Sequence, residues 1–205
     1  MFVRRERHSL DLRGEECVLG ERTWIMGVLN VTPDSFSDGG ETSSVEAALR
    51  LGLTMVEQGA DIVDVGGEST RPGAAVIQAA EERARVVPVI EALVKHGVAR
   101  VSVDTTKAEV AEAALDVGAV LVNDVSGFTF DAKMAPLVAR TGAAAVLMHL
   151  RGAFGEMHRS PHYADVMGEI VHELGARVDA AREAGIPRRR LIVDPGIGFS
   201  KAAVH

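Results

Sequence analysis

Two rhythms of apolar and polar residues recur along this chain. Stretches with apolar residues at helical spacing end in a glycine, and each glycine is followed by a short β-branched run, closed by a polar residue in three of the five. The glycines are Gly59, Gly97, Gly118, Gly142 and Gly185, and the runs are Ile62–Val65, Val101–Asp104, Val120–Asp124, Ala144–Met148 and Leu191–Asp194. An earlier run, Trp24–Asn30, has no helix before it. Glycine just past a helix takes the left-handed conformation that caps the last turn. The pattern predicts helices over about 44–58, 79–95, 107–117, 132–141 and 163–184, with Pro88 kinking or dividing the second. Ser43 with Glu46, and Thr106 with Glu109, read as capping boxes. Residues 1–20 are expected to form a β-hairpin turning at Gly14.

Alternating strand and helix means a parallel sheet, either doubly wound or closed as a (β/α)8 TIM barrel. Asn30, Asp104, Asn123, Asp124, His149 and Asp194 all fall at the C-terminal ends of predicted strands. A barrel gathers its chemistry at that rim from several strands. A doubly wound sheet uses one switch point and a glycine-rich first turn, and the first turn here carries no GxGxxG. The barrel is the better reading. Only six of its eight βα units are written in residues 1–205, which form one domain with no linker or low-complexity tract. Six strands leave two unpaired edges, so these residues alone are expected to associate and to turn over poorly.

Composition narrows the classes. Hydrophobic residues make up 47% of the 205 residues, enough for a large core, while aromatics are only 4%. Lys and Arg number 22 against 29 Asp and Glu, so nucleic acid is a poor partner. No run is long enough for a membrane span and none resembles a signal peptide, so a cytoplasmic location is expected. The single cysteine, Cys17, excludes an internal disulfide and a four-cysteine zinc site.

Chemistry concentrates in a few places. Gly66-Gly-Glu-Ser-Thr-Arg-Pro-Gly73 offers free amides, the hydroxyls of Ser69 and Thr70, and the Arg71 fork, a set that suits phosphate as well as it suits a solvated loop. The long loop after the first barrel strand, 32–40, reads as a lid or a connector. Asn30 at its base suits a hard cation, a substrate donor or an ordinary turn. Asp104, Asn123 and Asp194 end three different strands. Any one of them could simply cap the next helix; together they suit a flat heterocycle rich in N–H groups, such as a 2-amino-4-oxo pyrimidine edge. His149 reads as a hydrogen-bonded core residue that could line the site, and His158, His162 and His172 as surface residues.

At these residues the chain resembles a known family. Ile25-Met-Gly-Val-Leu-Asn-Val-Thr-Pro-Asp-Ser-Phe-Ser-Asp-Gly-Gly40 and Gly59-Ala-Asp-Ile-Val-Asp-Val-Gly-Gly-Glu-Ser-Thr-Arg-Pro-Gly-Ala74 are similar to the two signatures of the dihydropteroate synthases. Ser102-Val-Asp-Thr105, Val122-Asn-Asp-Val-Ser-Gly127, Leu147-Met-His149 and Asp194-Pro-Gly-Ile-Gly-Phe199 follow in the family's order. The resemblance implies a (β/α)8 barrel, dimeric in most members, that condenses 6-hydroxymethyl-7,8-dihydropterin pyrophosphate with p-aminobenzoate in folate biosynthesis, releasing pyrophosphate with Mg²⁺. It implies that Asn30 contacts metal and pyrophosphate, that Thr70 and Arg71 hold anionic groups, and that Asp104, Asn123 and Asp194 bind pterin. Met148 and Phe199 then belong to the pterin's apolar surround or lie beside p-aminobenzoate, and Lys201 follows the Gly-Phe motif as a further substrate contact. The family's Ser-Arg-Lys and Arg-x-His segments, on its seventh and eighth strands, have no counterpart in these 205 residues. Two other readings compete. A methyltetrahydrofolate-type methyltransferase would share the pterin contacts but has no need of the Glu68–Arg71 loop. A non-catalytic pterin-binding remnant would lack turnover altogether.

Overall fold

The computed structural model of the chain describes residues 5–32, 40–69, 76–152 and 162–201. Two strands, β1 (His8–Leu12) and β2 (Glu15–Leu19), pair antiparallel. Arg13 and Gly14 between them both have positive φ, 56° and 98°, the combination that matches a two-residue turn to the right-handed twist of its strands. The remaining elements alternate: β3 (Met26–Asn30), α1 (Gly40–Glu57), β4 (Ile62–Gly66), α2 (Ala79–Lys95), β5 (Val101–Asp104), α3 (Ala108–Asp116), β6 (Leu121–Asp124), α4 (Met134–Thr141), β7 (Ala144–Met148), α5 (Val166–Glu183) and β8 (Leu191–Asp194).

Strands β3 to β8 form one parallel sheet in strict chain order. A doubly wound sheet would reverse its order at a switch point, and this one does not. One face carries Leu29, Val63, Val65, Val101, Val103, Val122, Ala145 and Leu147, buried in a single core with α2, α3 and α4. The other face receives the hairpin. That is the layering of a (β/α)8 barrel, present here as six consecutive βα-type strands. Within the described residues β3 and β8 each pair on one side only, and Val28 and Val193 on them stay half exposed.

The five helix-ending glycines all adopt positive φ, from 75° at Gly142 to 111° at Gly118. The expected helix starts need correction. Helix α1 begins at Gly40, ahead of the capping box read at Ser43. At α3 the N-cap is Lys107 and no side chain closes a box. Instead the Ala108 N–H donates to Asp131 Oδ2 at 2.9 Å and the Lys107 N–H to Thr105 Oγ1 at 3.2 Å. A carboxylate brought in by the fold displaced the local partner. Helix α5 starts at Val166, capped by Asp165, whose Oδ1 accepts from Gly168 N at 3.0 Å. Helix α2 runs unbroken through Pro88, because Val86, Val89, Ile90 and Leu93 around it are buried in the core. Among the described residues, no helix is long and apolar enough to cross a membrane.

Candidate functional site

The inner face of the sheet changes character along the strands. At the N-terminal ends, Ile62, Leu121, Ala144 and Val146 pack with Leu10, Leu12 and Cys17 of the hairpin, with Met26, Trp24 and Ile192 beside them. Burial raises the Cys17 thiol above its usual pKa, in keeping with an inert packing residue. Two residues further along, side chains of the same parity are polar. Asp64 follows Ile62, Asn123 follows Leu121 and Asp194 follows Ile192.

Strand register assembles the rim. Asn30 pairs with Gly66, Gly66 with Asp104, and Asp104 with Asn123, so four strands end level. Met148 pairs with Asp194 on the next two. A Cβ at Gly66 would be in ordinary contact with both neighbours, 3.4 Å from Asp104 Oδ2 and 3.5 Å from Asn30 Oδ1, so the amide and the carboxylate converge on this point of the rim.

Each rim group has its own hydrogen-bond state. Asn123 donates through Nδ2 to Asp64 Oδ2 at 2.8 Å. Asp194 Oδ1 accepts from Gly196 N at 2.7 Å, which fixes the loop after β8. Phe199 packs against the cluster of Val125, Met148 and Leu150. Asp104 has no hydrogen-bond partner among the described residues. Burial pushes its carboxyl well above the usual range, and the nearby charges of Asp64, Glu82, Asp124 and Glu68 push it further. Burial also raises the Asp64 carboxyl. Asp124 is different: its oxygens accept from Ser126 N at 2.7 Å and Phe128 N at 3.3 Å, so it shapes the loop after β6, and burial lifts it to about 6.

Lys107 balances part of this acidity. Its Nζ lies 2.6 Å from Glu82 Oε2 and 2.9 Å from Glu68 Oε2. Burial would lower its pKa, but the two carboxylates outweigh that and hold it above the usual value. Glu68 also accepts from Ile77 N at 2.8 Å, anchoring both ends of the loop after β4. Thr70 and Arg71 within that loop lie outside the described residues, as do the 33–39 part of the preceding loop and His158.

Lys201 sits close to the rim but is engaged with protein. Its Nζ approaches His149 Nδ1 at 3.1 Å, Gly196 O at 3.0 Å and Phe199 O at 2.9 Å. Burial lowers it to about 8. His149 is fully buried and its Nε2 lies 3.0 Å from Glu173 Oε2. With Lys201 donating to Nδ1, the imidazole is the neutral tautomer with its proton on Nε2, and burial lowers its pKa. His162 and His172 are exposed.

Sequence reading passed over Asp64, which stands inside the apolar run Ile62–Val65, and the Lys107–Glu82 pair. Strand parity was the available signal for Asp64, since it shares a face with Ile62 and Gly66. For a metal, no group of three or more His, Cys, Asp or Glu side chains able to hold an ion occurs among the described residues. The converging oxygens of Asn30 and Asp104 do fit a hard cation that arrives with a phosphate and keeps several waters.

Residues 26–205 match the family model described as "Pterin binding enzyme". The dihydropteroate synthase of Synechocystis sp. is 47% identical over 184 residues, covering 90% of this chain and 64% of the relative. That of Mycobacterium leprae is 51% identical over 182 residues, covering 88% and 64%. The chain therefore spans about two thirds of the length of these curated relatives. Among solved structures, the Xanthomonas albilineans dihydropteroate synthase with 4-aminobenzoic acid superposes with a TM-score of 0.87 at 46% identity, covering 97% of this chain and 70% of that one.

Proposed function

The chain belongs to the pterin binding enzyme family, and from that membership we propose that it acts as a dihydropteroate synthase. The reaction joins 6-hydroxymethyl-7,8-dihydropterin pyrophosphate to p-aminobenzoate, giving 7,8-dihydropteroate and pyrophosphate. The observation that carries this reading is the level rim of Asn30, Gly66, Asp104 and Asn123, with Met148 and Asp194 beside it. Carboxylate and amide oxygens gathered from several strands at one rim suit a heterocycle whose edge is rich in N–H groups.

In this reading Asp104, Asn123 and Asp194 bind the pterin, and Met148 and Phe199 flank it. The carbon–oxygen bond to pyrophosphate breaks early and the ring nitrogens share the positive charge. Asp194 favours that cation electrostatically, and Asp104 does so once the bound pterin draws its carboxyl into the ionised form. The aniline nitrogen then forms the new carbon–nitrogen bond and loses a proton. Thr70 and Arg71 hold anionic groups of the substrates. Asn30 would share Mg²⁺ with the pyrophosphate, the ion supplying charge neutralisation to the leaving oxygens. Lys201 serves the same site by fixing the loop that carries Asp194 and Phe199. Residues 1–205 act as a single pterin-binding domain, with the 1–20 hairpin as its floor, in a cytoplasmic homodimer.

The test is a condensation assay on the protein isolated from its native source, with the pterin pyrophosphate and p-aminobenzoate. Equal amounts of pyrophosphate and dihydropteroate are expected, dependent on both substrates. Pterin binding with neither product formed would favour the non-catalytic reading.

A further inference from the structure

We infer that Asp64, one layer beneath the rim, is a positioning residue that orients the Asn123 amide and so makes Asn123 an acceptor toward the pterin edge. This rests on the pterin-binding reading given above. An asparagine amide can face either way, presenting an oxygen or an NH₂ to a ligand. Here one orientation is enforced. Asp64 Oδ2 accepts from Asn123 Nδ2 at 2.8 Å, and with the carboxyl ionised the flipped amide would set its oxygen against the carboxylate oxygen instead. Asn123 Oδ1 is left with no described partner, aimed away from Asp64. Asp64 is only 2% exposed, so water cannot compete for that contact.

Beside Asp64 lies the buried hydroxyl of Ser102, its register partner on β5, which together with Asn123 partly offsets the burial that raises the Asp64 carboxyl. Among the described residues Oδ1 has no hydrogen bond of full geometry. A buried carboxyl is expensive to keep without donors, and a hydrophobic residue of similar size would complete the apolar floor formed by Ile62 and Leu121. What the carboxyl does contribute is the hydrogen bond that holds Asn123. Because the contact needs only one accepting oxygen, an amide at 64 can replace the carboxyl: its oxygen accepts from Asn123 and its NH₂ faces Ser102. An aliphatic side chain cannot.

The test combines two readouts. Titration calorimetry with a 2-amino-4-oxo pterin should show affinity lowered at least tenfold in Asp64→Leu and held within about twofold in Asp64→Asn. In an Asn123→Ala background, Asp64→Leu should cause no further loss. Hydrogen exchange of the Asn123 side-chain amide, followed by NMR without ligand, should be slow in the parent and in Asp64→Asn but fast in Asp64→Leu. Should Asp64→Leu fail to fold, Asp64→Asn and Asn123→Ala still decide. Affinity lost in Asp64→Asn, additive losses in the double variant, or fast amide exchange in the parent would overturn the inference. Absence of any pterin binding by the parent would instead strike the functional reading, and the exchange measurement would still judge this one.

Discussion

The two ends of the barrel interior are built on the same strands and obey opposite rules. At the N-terminal end, Leu10, Leu12 and Cys17 of the hairpin close over Ile62, Leu121 and Ala144, an apolar floor in which every side chain favours folding. At the C-terminal end, Asp64, Asp104 and Asn123 occupy the equivalent positions one pleat higher, and burial raises the Asp64 and Asp104 carboxyls. Moving two residues along a strand keeps the face and changes the chemistry. The floor stabilises the fold, and the rim holds groups that folding alone would discard, which is where function and stability trade against each other.

That contrast can be broken from below. Leu12→Ala, at a side chain only 1% exposed, should cost about 2–5 kcal/mol in denaturant unfolding. Pterin affinity of the folded fraction should stay within about twofold. A large affinity loss would mean that floor and rim are one unit.

Arg71→Ala probes the anion-holding role proposed for the loop after β4. Turnover should fall at least tenfold, about 1.4 kcal/mol, in a coupled pyrophosphate assay, while simple pterin binding survives. The reverse pattern would exchange the roles of Arg71 and the strand-end carboxylates.

Asp104→Asn sharpens the comparison by sign. The folded chain keeps the Asp104 proton to higher pH than the unfolded chain does, so stability falls as pH climbs above the ordinary carboxylate range. The neutral variant escapes that loss. It should be more stable at neutral pH, by about 0.5–2 kcal/mol, and should bind pterin more weakly. Chemical denaturation between pH 4 and pH 8, flatter in the variant than in the parent, checks it.

The smallest effect belongs to neither end. Arg140 and Glu112 form an ion pair across two outer helices with side chains 59% and 48% exposed. Arg140→Ala should change unfolding free energy by less than about 0.5 kcal/mol and leave binding alone.

The sequence carried the fold well because its signals are local and repeated. Most strand runs end in a polar residue, and each helix is followed by a glycine at positive φ. Asn30, Asp104, Asn123 and Asp194 were legible as strand-end residues for that reason, and register then placed the first three level, with Asp194 two residues further along its strand. Asp64 was hidden because an acid between valines reads as part of an apolar run until the pairing of strands is known. The box at Thr106 misled because Asp131, distant in sequence, reaches Ala108 N first. Lys201 was legible as a residue near the site, but its engagement with His149, Gly196 and Phe199 depends on the folded loop.

The most direct test of a rim built for pterin is titration calorimetry of Asp194→Ala with a 2-amino-4-oxo pterin, run beside a thermal melt. Asp194 holds Gly196 N with one oxygen, and its other oxygen has no hydrogen bond among the described residues. Affinity should drop at least tenfold, about 1.4 kcal/mol, with a melting transition that remains cooperative. Unchanged affinity in a well-folded variant would contradict the account.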